Sequence, residues 1–487
     1  MKRLCLLAGV MYVLIASVAA QARELSQWNP LYLDTSIRPE YAQRYKIDFE
    51  EDMASVGYLY SIPAFLHFRQ RYEFLSNFQK YMGDQGNPFG QFLLLRQPTS
   101  PATADTMPNY DTLYGVTFLE LDAHPVVLEV PAIPDRYYSF ALVDSYFYNF
   151  DYIGSRTVGQ KAGRYLIVGP NWKGTQPRGI DRIYRAPTNS ILIYQRIYFR
   201  NLLDVPTVNK IQDQIRLVPL EVYLNSSAKV IQPDVAGFLK PNPLTVKSVS
   251  DVLRITNQYM AQNPPPVEDR SLTAYFAPMG VGPGLQLPVT AEMTAALERG
   301  ALKASQTMSA LALSGFPVRN GWQIPPASVG ERGGSGGMAM QAMIQLRSIG
   351  VNSSAEAVYY NAFTDIHHQP LDGATSYRIR FERNQIPPVD TRKFGFWSIT
   401  IYDRTDLRLI SNVENKYLVR SGDPLVYDAD GSLTLYIQPD APSDAALRAN
   451  WLPSPRNSEF ILMLRAYVGA QSIVTGQYVP PAVVSAQ

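Results

Sequence analysis

Short apolar segments alternate with turn residues between Met107 and Ile197, and this alternation constrains the fold more than any other feature. Clusters of Gly, Pro, Asn and Asp separate the segments, which is typical of antiparallel strands joined by tight turns. Continuous apolar runs within them indicate strands that are covered on both faces. The strands are expected at Val126 to Val130, Tyr137 to Val143, Arg164 to Val168 and Ser190 to Ile197.

Helical spacing occurs before and after this region. Asp48 to Phe78 has apolar residues near a helical period, with a kink expected at Pro63, and we predict that it packs on the first sheet. Residues from about 200 to 360 predict a helical connector that also covers a sheet face. Its helices are expected at Ser248 to Gln262, Thr290 to Ser309 and Met338 to Ile349.

A second β region, Tyr377 to Tyr467, repeats the plan of the first. The segment YSFALVD from Tyr138 and the segment WSITIYD from Trp397 share an aromatic residue, a serine and a final aspartate. Further along, ILIYQRIY from Ile191 matches ILMLRAY from Ile461, and each ends in Arg-x-Tyr. Shared strand patterns of any two β-sandwiches are one explanation. A duplicated sandwich is the explanation we prefer, and a cleft between two such domains commonly holds a ligand.

These patterns predict a mainly β fold with helices, in which two antiparallel, jelly-roll-like β-sandwich domains are joined by a helical connector. The 487 residues, of which 46% are hydrophobic, are enough for two or three cores. The expected bounds are 1–22 for a signal peptide, 23–57 for an extended leader and helix start, 58–199 for the first sandwich with its helix, 200–370 for the connector and 371–487 for the second sandwich.

The first 22 residues have the pattern of a secretory signal peptide. Lys2 and Arg3 precede an apolar segment, Leu4 to Val18, and Ala20 to Ala22 form a small-residue cleavage site. We therefore expect a periplasmic or secreted protein. Cys5 is the only cysteine, so the mature chain would have neither disulfides nor thiol catalysis.

Charge and hydropathy argue against two classes of partner. Loss of Lys2 and Arg3 reduces the 44 basic residues to 42, which balance the 42 acidic ones, so neither nucleic acid nor an anionic membrane is an expected partner. No later stretch reaches the roughly 18 apolar residues of a membrane span. No nucleotide, haem or flavin motif is present, so no cofactor is expected.

Several motifs together resemble a known family. They are PNYDTLYG, DRYYSFALVD, IGSRTVG and YLIVGP in the first half, and FWSITIYD, YDADGSLTLYIQ, NWLPSP and FILMLRAY in the second. The chain resembles, from about Tyr58 to its C-terminus, the bacterial and viral family that joins domain of unknown function 1254 to domain of unknown function 1214. The resemblance implies two β-sandwich domains with helices between them, often with an export signal and in oligomers. It implies no particular reaction.

The chain departs from the family pattern at two places. Asn109-Tyr110-Asp111-Thr112 stands where the family tends to Asn-Asn-Asp-Thr, and Asp365-Ile366-His367-His368 stands where the family tends to an acidic or glycine turn. Either difference could alter ligand preference.

The loop that enters the first strand supplies candidate catalytic residues. Asn109, Tyr110, Asp111 and Tyr114 stand where a loop meets a rigid sandwich, a common place for a site. Asp111 could act as a general base or acid and Tyr114 as a hydrogen-bond donor, with Asn109 and Tyr110 as ligand contacts. The alternative is an Asx turn in which the Asp111 side chain caps local backbone N–H groups.

Arginine and aromatic side chains supply candidate ligand contacts. A guanidinium can hold a carboxylate or sulfate in a geometry that lysine cannot provide. The alternative is that these arginines form salt bridges with Asp144, Asp151 and Asp403 that tie strands together. The candidate arginines are Arg136, Arg156, Arg196 and Arg465. Tyr138 and its tyrosine neighbours could line a sugar-binding cleft, or pack in the sheet. Trp451 could form a wall of the cleft, or cover the second sandwich.

Metal binding and serine hydrolysis have weaker support. His367 and His368 are adjacent, so on a strand they point to opposite faces and cannot easily share an ion, and no metal site is expected. Gly333 to Gly337 fits Gly-x-Ser-x-Gly, but no apolar strand precedes it, so a flexible loop is expected.

The preferred hypothesis is an exported protein that binds or processes a small polar or carbohydrate-like ligand between its sandwich domains, in a cleft formed by the Asn109 to Tyr114 loop with nearby arginines and tyrosines. The alternative is a noncatalytic envelope or assembly protein whose sandwiches mediate homo-oligomerisation.

Overall fold

A computed structural model describes residues 38–82, 88–230, 233–333 and 337–486. The predicted signal peptide, residues 1–22, and the expected leader up to residue 37 lie outside the described residues. Met53–Gln487 form one compact unit, and the described residues before Met53 belong to another. Across the described ranges, no helix is both long enough and apolar enough to span a membrane.

The predicted helices are present, with some different ends. The first is longer at both ends than expected and contains Pro63. The helix that begins at Val249 is fixed by a capping box, in which the Ser248 side chain and the Asp251 side chain each accept a backbone N–H. The helices are α1 Pro39–Met82, α2 Val205–Gln212, α3 Leu220–Leu224, α4 Val235–Phe238, α5 Val249–Gln262, α6 Arg270–Phe276, α7 Ala291–Ser314, α8 Gly337–Arg347 and α9 Gln471–Val474.

The first sandwich consists of two open sheets with the orders β1-β2-β8-β4-β5 and β7-β6-β3-β9, and we call the former the first large sheet. All four predicted strands are confirmed to within one residue at either end. The strands are β1 Leu93–Leu94, β2 Thr112–Glu120, β3 Val126–Val130, β4 Tyr138–Val143, β5 Asn149–Gly154, β6 Gly163–Val168, β7 Arg182–Arg185, β8 Ser190–Tyr198 and β9 Arg216–Pro219.

The second sandwich also has two open sheets, with the orders β10-β11-β12-β18-β14-β15 and β17-β16-β13-β19, and we call the former the second large sheet. Its strands are β10 Val318–Arg319, β11 Trp322–Gln323, β12 Ala357–Ala362, β13 Tyr377–Phe381, β14 Phe396–Asp403, β15 Leu418–Arg420, β16 Leu433–Gln438, β17 Trp451–Pro453, β18 Phe460–Tyr467 and β19 Val484–Ser485. Four strands, β9, β10, β11 and β12, fall within residues 200–370 of the predicted connector.

The duplication inferred from the sequence is confirmed by the strand order. β2, β8, β4 and β5 are neighbours in the first large sheet, and β12, β18, β14 and β15 are neighbours in the same order in the second. The smaller sheets also agree, because β7-β6-β3-β9 corresponds to β17-β16-β13-β19 and the pairs β6–β7 and β16–β17 are both parallel. The remaining pairs between these strands are antiparallel, so the fold is two antiparallel sandwiches, each with one parallel edge strand.

Each sandwich buries an apolar core between its two sheets. Alternation along β13 shows the pattern, since Tyr377, Ile379 and Phe381 are buried while Arg378 and Arg380 are exposed. Three strands of the large sheets, β4, β15 and β18, are instead buried throughout. The continuous apolar runs therefore correctly indicated strands with both faces covered.

Two different partners cover the outer face of the first large sheet. One part packs against α1, α7 and α8, where Ala141 and Leu192 lie in one cluster with Leu66, Met308 and Met340. The expectation that the first helix and the connector cover this sheet is therefore confirmed. The other part packs against the second large sheet, with contacts among the residues Tyr137, Ala357, Phe396 and Tyr467.

Candidate functional site

Each large sheet carries the same row of three side chains across its three central strands. In the first, Tyr114 on β2 and Ser139 on β4 both pair with Arg196 on β8. Directly paired residues point to the same face of a sheet. We call this set the first row.

In the second large sheet, Tyr359 on β12 and Ser398 on β14 both pair with Arg465 on β18. This second row has the same residue types on the equivalent strands. An acid stands three positions before each tyrosine, Asp111 before Tyr114 and Glu356 before Tyr359. The duplication therefore extends to polar side chains as well as to strand order.

The two rows meet in the interface between the sandwiches, and their contacts are reciprocal. Ser398 donates to Asp111 Oδ2 at 2.7 Å, so the second half binds the acid of the first. Tyr137 donates to Glu356 Oε1 at 2.6 Å, so the first half binds the acid of the second. Arg156 adds a second bond to Glu356, with Nε to Oε2 at 2.6 Å. Reciprocal contacts are what a twofold relation between the halves predicts.

Arg196 lies in this interface with 5% of its surface exposed. It donates to Asn352 Oδ1 and to the Gly350 carbonyl, each at 3.2 Å. The rings of Tyr114 and Tyr194 each lie 5.4 Å from the guanidinium carbon, within cation–π range. Within the described ranges, no carboxylate forms an ion pair with Arg196.

Three tyrosines, Tyr114, Tyr194 and Tyr359, lie around Arg196. We call the accessible space beside them the recess. Burial is the main reason that the pKa values of Tyr194, at about 12, and of Tyr359 are raised. Both side chains nevertheless keep partly accessible surfaces, as does Tyr114. A side chain that lies deep in a protein and still has accessible surface borders a space that water can enter. The raised pKa values keep the Tyr194 and Tyr359 hydroxyls protonated at neutral pH.

The loop after α8 forms one wall of the recess. Asn352 is fully buried, and its Nδ2 donates to the Tyr359 hydroxyl at 2.8 Å. Gly350 has φ +72°, and a Cβ there would collide with the Tyr194 ring. Glycine is therefore required both by the left-handed backbone and by the close approach of the ring.

Several of the predicted site residues lie at this interface, including Arg156 through its bond to Glu356. Tyr114 and Arg196 border the recess. Asp111 is fully buried between the sandwiches, and Asn109 donates to the Tyr467 hydroxyl at 2.6 Å. The Asn109 side chain also accepts the backbone N–H of Asp111 at 2.5 Å, so it is the asparagine, rather than the aspartate, that forms the local Asx turn.

Asp111 also lies near two arginines of the second half. Burial alone would lower the pKa of Arg420, but the Asp111 carboxylate contributes to an opposing effect and the pKa is raised. Asp111 Oδ1 has no hydrogen-bond partner among the described residues. Asp111 thus lies beside Arg420 and Arg465.

The other predicted ligand contacts lie in different surroundings. Tyr110 packs edge-on against Phe199 and Tyr417, with ring centroids at 5.8 and 5.0 Å. Tyr138 points into the first sandwich and donates to the Gly159 carbonyl at 2.6 Å. This follows from its position next to Ser139, since neighbours on a strand face opposite sides.

Arg136 and Trp451 also lie outside the recess. Arg136 is bound by Asp204 at 2.8 Å and by Asp135 at 3.0 Å, which are different from the aspartates that the sequence suggested. Trp451 begins β17, and its indole donates to the Gln438 carbonyl at 2.8 Å. Both are held by structural partners of their own.

Sequence reasoning missed Tyr194, Gly350, Asn352, Glu356 and Tyr359. Matching Asp111-x-x-Tyr114 to Glu356-x-x-Tyr359 would have found the last two, because it extends the duplication upstream. No pattern in the sequence marks Gly350.

The described residues contain no group of three His, Cys, Asp or Glu side chains able to hold a metal ion. Asp365 accepts the backbone N–H groups of His367 and Gln369 at 2.9 and 3.0 Å, so it closes a turn. The central residues of the Gly-x-Ser-x-Gly segment, 334–336, lie outside the described residues.

Comparison with solved structures supports this fold. A crystal structure of a protein from Vibrio parahaemolyticus is similar over 90% of this chain and 100% of that one, with a TM-score of 0.70 and 24% sequence identity. An uncharacterised protein from Burkholderia cenocepacia aligns over 92% of this chain and 96% of that one, but with a TM-score of 0.40 and 12% identity it carries no argument. Comparison with curated proteins gave no match.

Family models match both sandwiches. Residues 89–219 match the model described as protein of unknown function DUF1254, and residues 356–471 match the model described as protein of unknown function DUF1214. The first range contains β1 to β9 and the second begins just before β12. The chain therefore belongs to the family in which a DUF1254 domain is followed by a DUF1214 domain.

Proposed function

We propose that the protein binds a small polar ligand in the recess between its two sandwiches, with Tyr114, Tyr194, Tyr359 and Arg196 as contacts. The observation that carries the proposal is that these tyrosines surround a buried arginine and still keep accessible surface. A concave site with aromatic walls and a few convergent polar groups is the usual form of a small-molecule site. Tyrosine also presents both an apolar face and a hydroxyl to a sugar-like molecule.

The hydroxyls of Tyr114 and Tyr194 supply the donors. Neither has a hydrogen-bond partner within the ranges that the structure describes, and neither is among the buried atoms that lack one. Both therefore reach accessible space beside the guanidinium. A ligand hydroxyl or carbonyl placed between the rings would satisfy them.

Asp111 keeps its predicted role as acid or base within this proposal. Its support is a fully buried carboxylate with one oxygen, Oδ1, that has no partner among the described residues. Within this proposal Tyr114 and Arg196 bind the ligand, and Asp111 would act on the part of a substrate that reaches Arg420.

Ligand-observed NMR with a panel of D-glucose, D-galactose, D-glucuronate, benzoate and myo-inositol tests the proposal. Tyr114→Phe and Tyr194→Phe each remove a hydroxyl without a protein partner, so we expect weaker binding at nearly unchanged thermal stability. Tyr138→Phe is the matched control, because its hydroxyl is bonded inside the first sandwich. That variant should lose about 1 kcal/mol of stability and bind as the wild type does.

Two outcomes would contradict the proposal. One is the absence of binding by every member of the panel at about 10 mM, the range of very weak complexes. The other is binding that neither tyrosine variant changes. Light scattering on the same samples tests the assembly alternative, which predicts a homo-oligomer together with no binding.

We also propose that the protein is exported to the periplasm or secreted. The support is the basic start, apolar segment and small-residue site within residues 1–22. Expression of the full chain in a bacterium, followed by intact-mass analysis, should give a protein that begins at Arg23 in the periplasmic or culture fraction. A full-length protein in the cytoplasmic fraction would contradict export.

A further inference from the structure

We infer that the ligand carries a carboxylate group, which Arg196 binds through the edge of its guanidinium plane. The inference rests on the proposed ligand recess and specifies the chemical class of its ligand. It comes from the charge and from the geometry around Arg196.

Arg196 has no counter-ion among the described residues. It shares this with Arg465, but the Asp111 carboxylate contributes to the raised pKa of Arg465. Two other buried arginines are paired, Arg71 with Glu120 at 2.9 Å and Arg136 with Asp204 at 2.8 Å. The described partners of Arg196 are a neutral amide oxygen and a backbone carbonyl. A buried charge is costly unless it is paired, so an anion that enters the recess would supply a missing partner.

Two acids near these residues do not pair with Arg196. Glu356 is fully buried, but its two oxygens are bonded to Tyr137 and to Arg156, each at 2.6 Å. Asp105 contributes to the raised pKa of Tyr194, but the described partners of Arg196 are neutral. Arg196 thus presents its charge beside protonated tyrosine hydroxyls, a combination that favours an anion over a neutral molecule.

The geometry favours a carboxylate over other anions. Tyr114 and Tyr194 flank the guanidinium within cation–π range, and Asn352 and Gly350 take one N–H from each terminal nitrogen. The N–H groups that remain lie in the guanidinium plane. A planar group with two oxygens matches such an edge in a bidentate way, and a lysine could not reproduce this geometry.

Isothermal titration calorimetry with two matched pairs of probes tests the inference. D-glucuronate differs from D-glucose, and benzoate from benzyl alcohol, by having a carboxylate in place of a CH₂OH group. In each pair that binds, we expect the wild type to prefer the acid by at least about tenfold, which corresponds to about 1.4 kcal/mol. Equal binding of acid and alcohol would overturn the inference and leave the proposed recess intact.

Variants locate the effect at Arg196. Arg196→Gln should abolish the preference, and Arg196→Lys should keep only part of it. Arg465→Gln is the matched control, since Arg465 occupies the same place in the second row and is bound by Thr400, Tyr402 and the Met107 carbonyl. It should lower stability and leave the preference unchanged.

Wild-type measurements decide the question if the Arg196 variants do not fold. The preference for the acid should weaken as the pH falls through the pKa of the probe carboxylate, where the charge is lost. A preference that persists at full protonation would overturn the inference. Failure of all four probes to bind at about 10 mM would instead contradict the proposed recess itself.

Discussion

The two sandwiches carry the same row of tyrosine, arginine and serine, but the two arginines have different partners. Arg465 donates to Thr400 Oγ1 at 2.8 Å and to the Tyr402 hydroxyl at 2.7 Å, both on the neighbouring strand β14. At the equivalent positions of β4, the first sandwich has Ala141 and Val143, which offer no side-chain acceptor.

This difference supports the proposal that the ligand site lies at Arg196. In the second sandwich, hydroxyls of its own sheet bind the Arg465 guanidinium. In the first, Arg196 bonds instead to the loop after α8, through Asn352 and Gly350, and the tyrosines beside it keep accessible surface. The loss of two hydroxyls on β4 thus accompanies the opening of the recess.

The largest effect is expected where the halves hold each other. Glu356→Ala leaves Arg156 and Tyr137 without the carboxylate that both bind at 2.6 Å. Removing one partner of a buried ion pair costs about 3–5 kcal/mol, so the urea midpoint should fall strongly. Asp111→Ala should have a similar but smaller effect, through Ser398 and Arg420.

Urea unfolding of both variants tests the reciprocity of the interface. If Asp111→Ala destabilised the protein and Glu356→Ala did not, the interface would depend on one acid only. The twofold relation between the contacts of the two halves would then have no energetic meaning.

A second test concerns the loop that binds Arg196 of the first row. Gly350→Ala places a side chain at φ +72° against the Tyr194 ring, and we expect a loss of about 2 kcal/mol together with loss of ligand binding. The matched control is Gly159→Ala, at φ +79°, where a Cβ would have no atom within 4 Å.

Thermal unfolding and probe binding together distinguish the two contributions. The control should show the cost of the left-handed backbone alone, and its binding should equal that of the wild type. Equal destabilisation of both variants would mean that the Tyr194 contact contributes nothing.

The smallest effect is expected from the Thr400 hydroxyl, which has no counterpart in the first sandwich because Ala141 stands at the equivalent position. Thr400→Val removes an acceptor of Arg465 and should cost about 1 kcal/mol without changing probe binding. Thr112→Val is the control, because the Thr112 hydroxyl is buried and has no partner among the described residues. Calorimetry should find Thr112→Val as stable as the wild type or slightly more stable. A Thr400→Val protein that is more stable than Thr112→Val would contradict the structural role of Arg465 and its acceptors.

Much of the fold was predictable from sequence because strands and helices are encoded locally. Apolar runs bounded by glycine and proline predicted β3, β4, β6 and β8. Helical spacing from Ser248 to Gln262 predicted α5 to within one residue at its start. The duplication was also predictable, because Arg196 and Arg465 lie near the ends of matching strands.

Partners distant in sequence were less predictable. Arg156 binds Glu356, which is 200 positions away, and no local pattern joins them. The sequence suggested Asp144, Asp151 and Asp403 as arginine partners, and only tertiary packing decides that Asp144 binds Arg332. Arg196 stays a predicted site residue, and its partners Gly350 and Asn352 lie 154 and 156 positions further along the chain.

A crystal structure of the protein soaked with D-glucuronate is the most direct test of the central claim, that Arg196 of the first row binds a ligand while Arg465 of the second row is bound by the protein's own groups. We predict a sugar carboxylate bonded to Arg196 between the rings of Tyr114 and Tyr194, with Arg465 still bound to Thr400 and Tyr402. A sugar bound elsewhere, or a recess closed by the protein's own side chains, would contradict it.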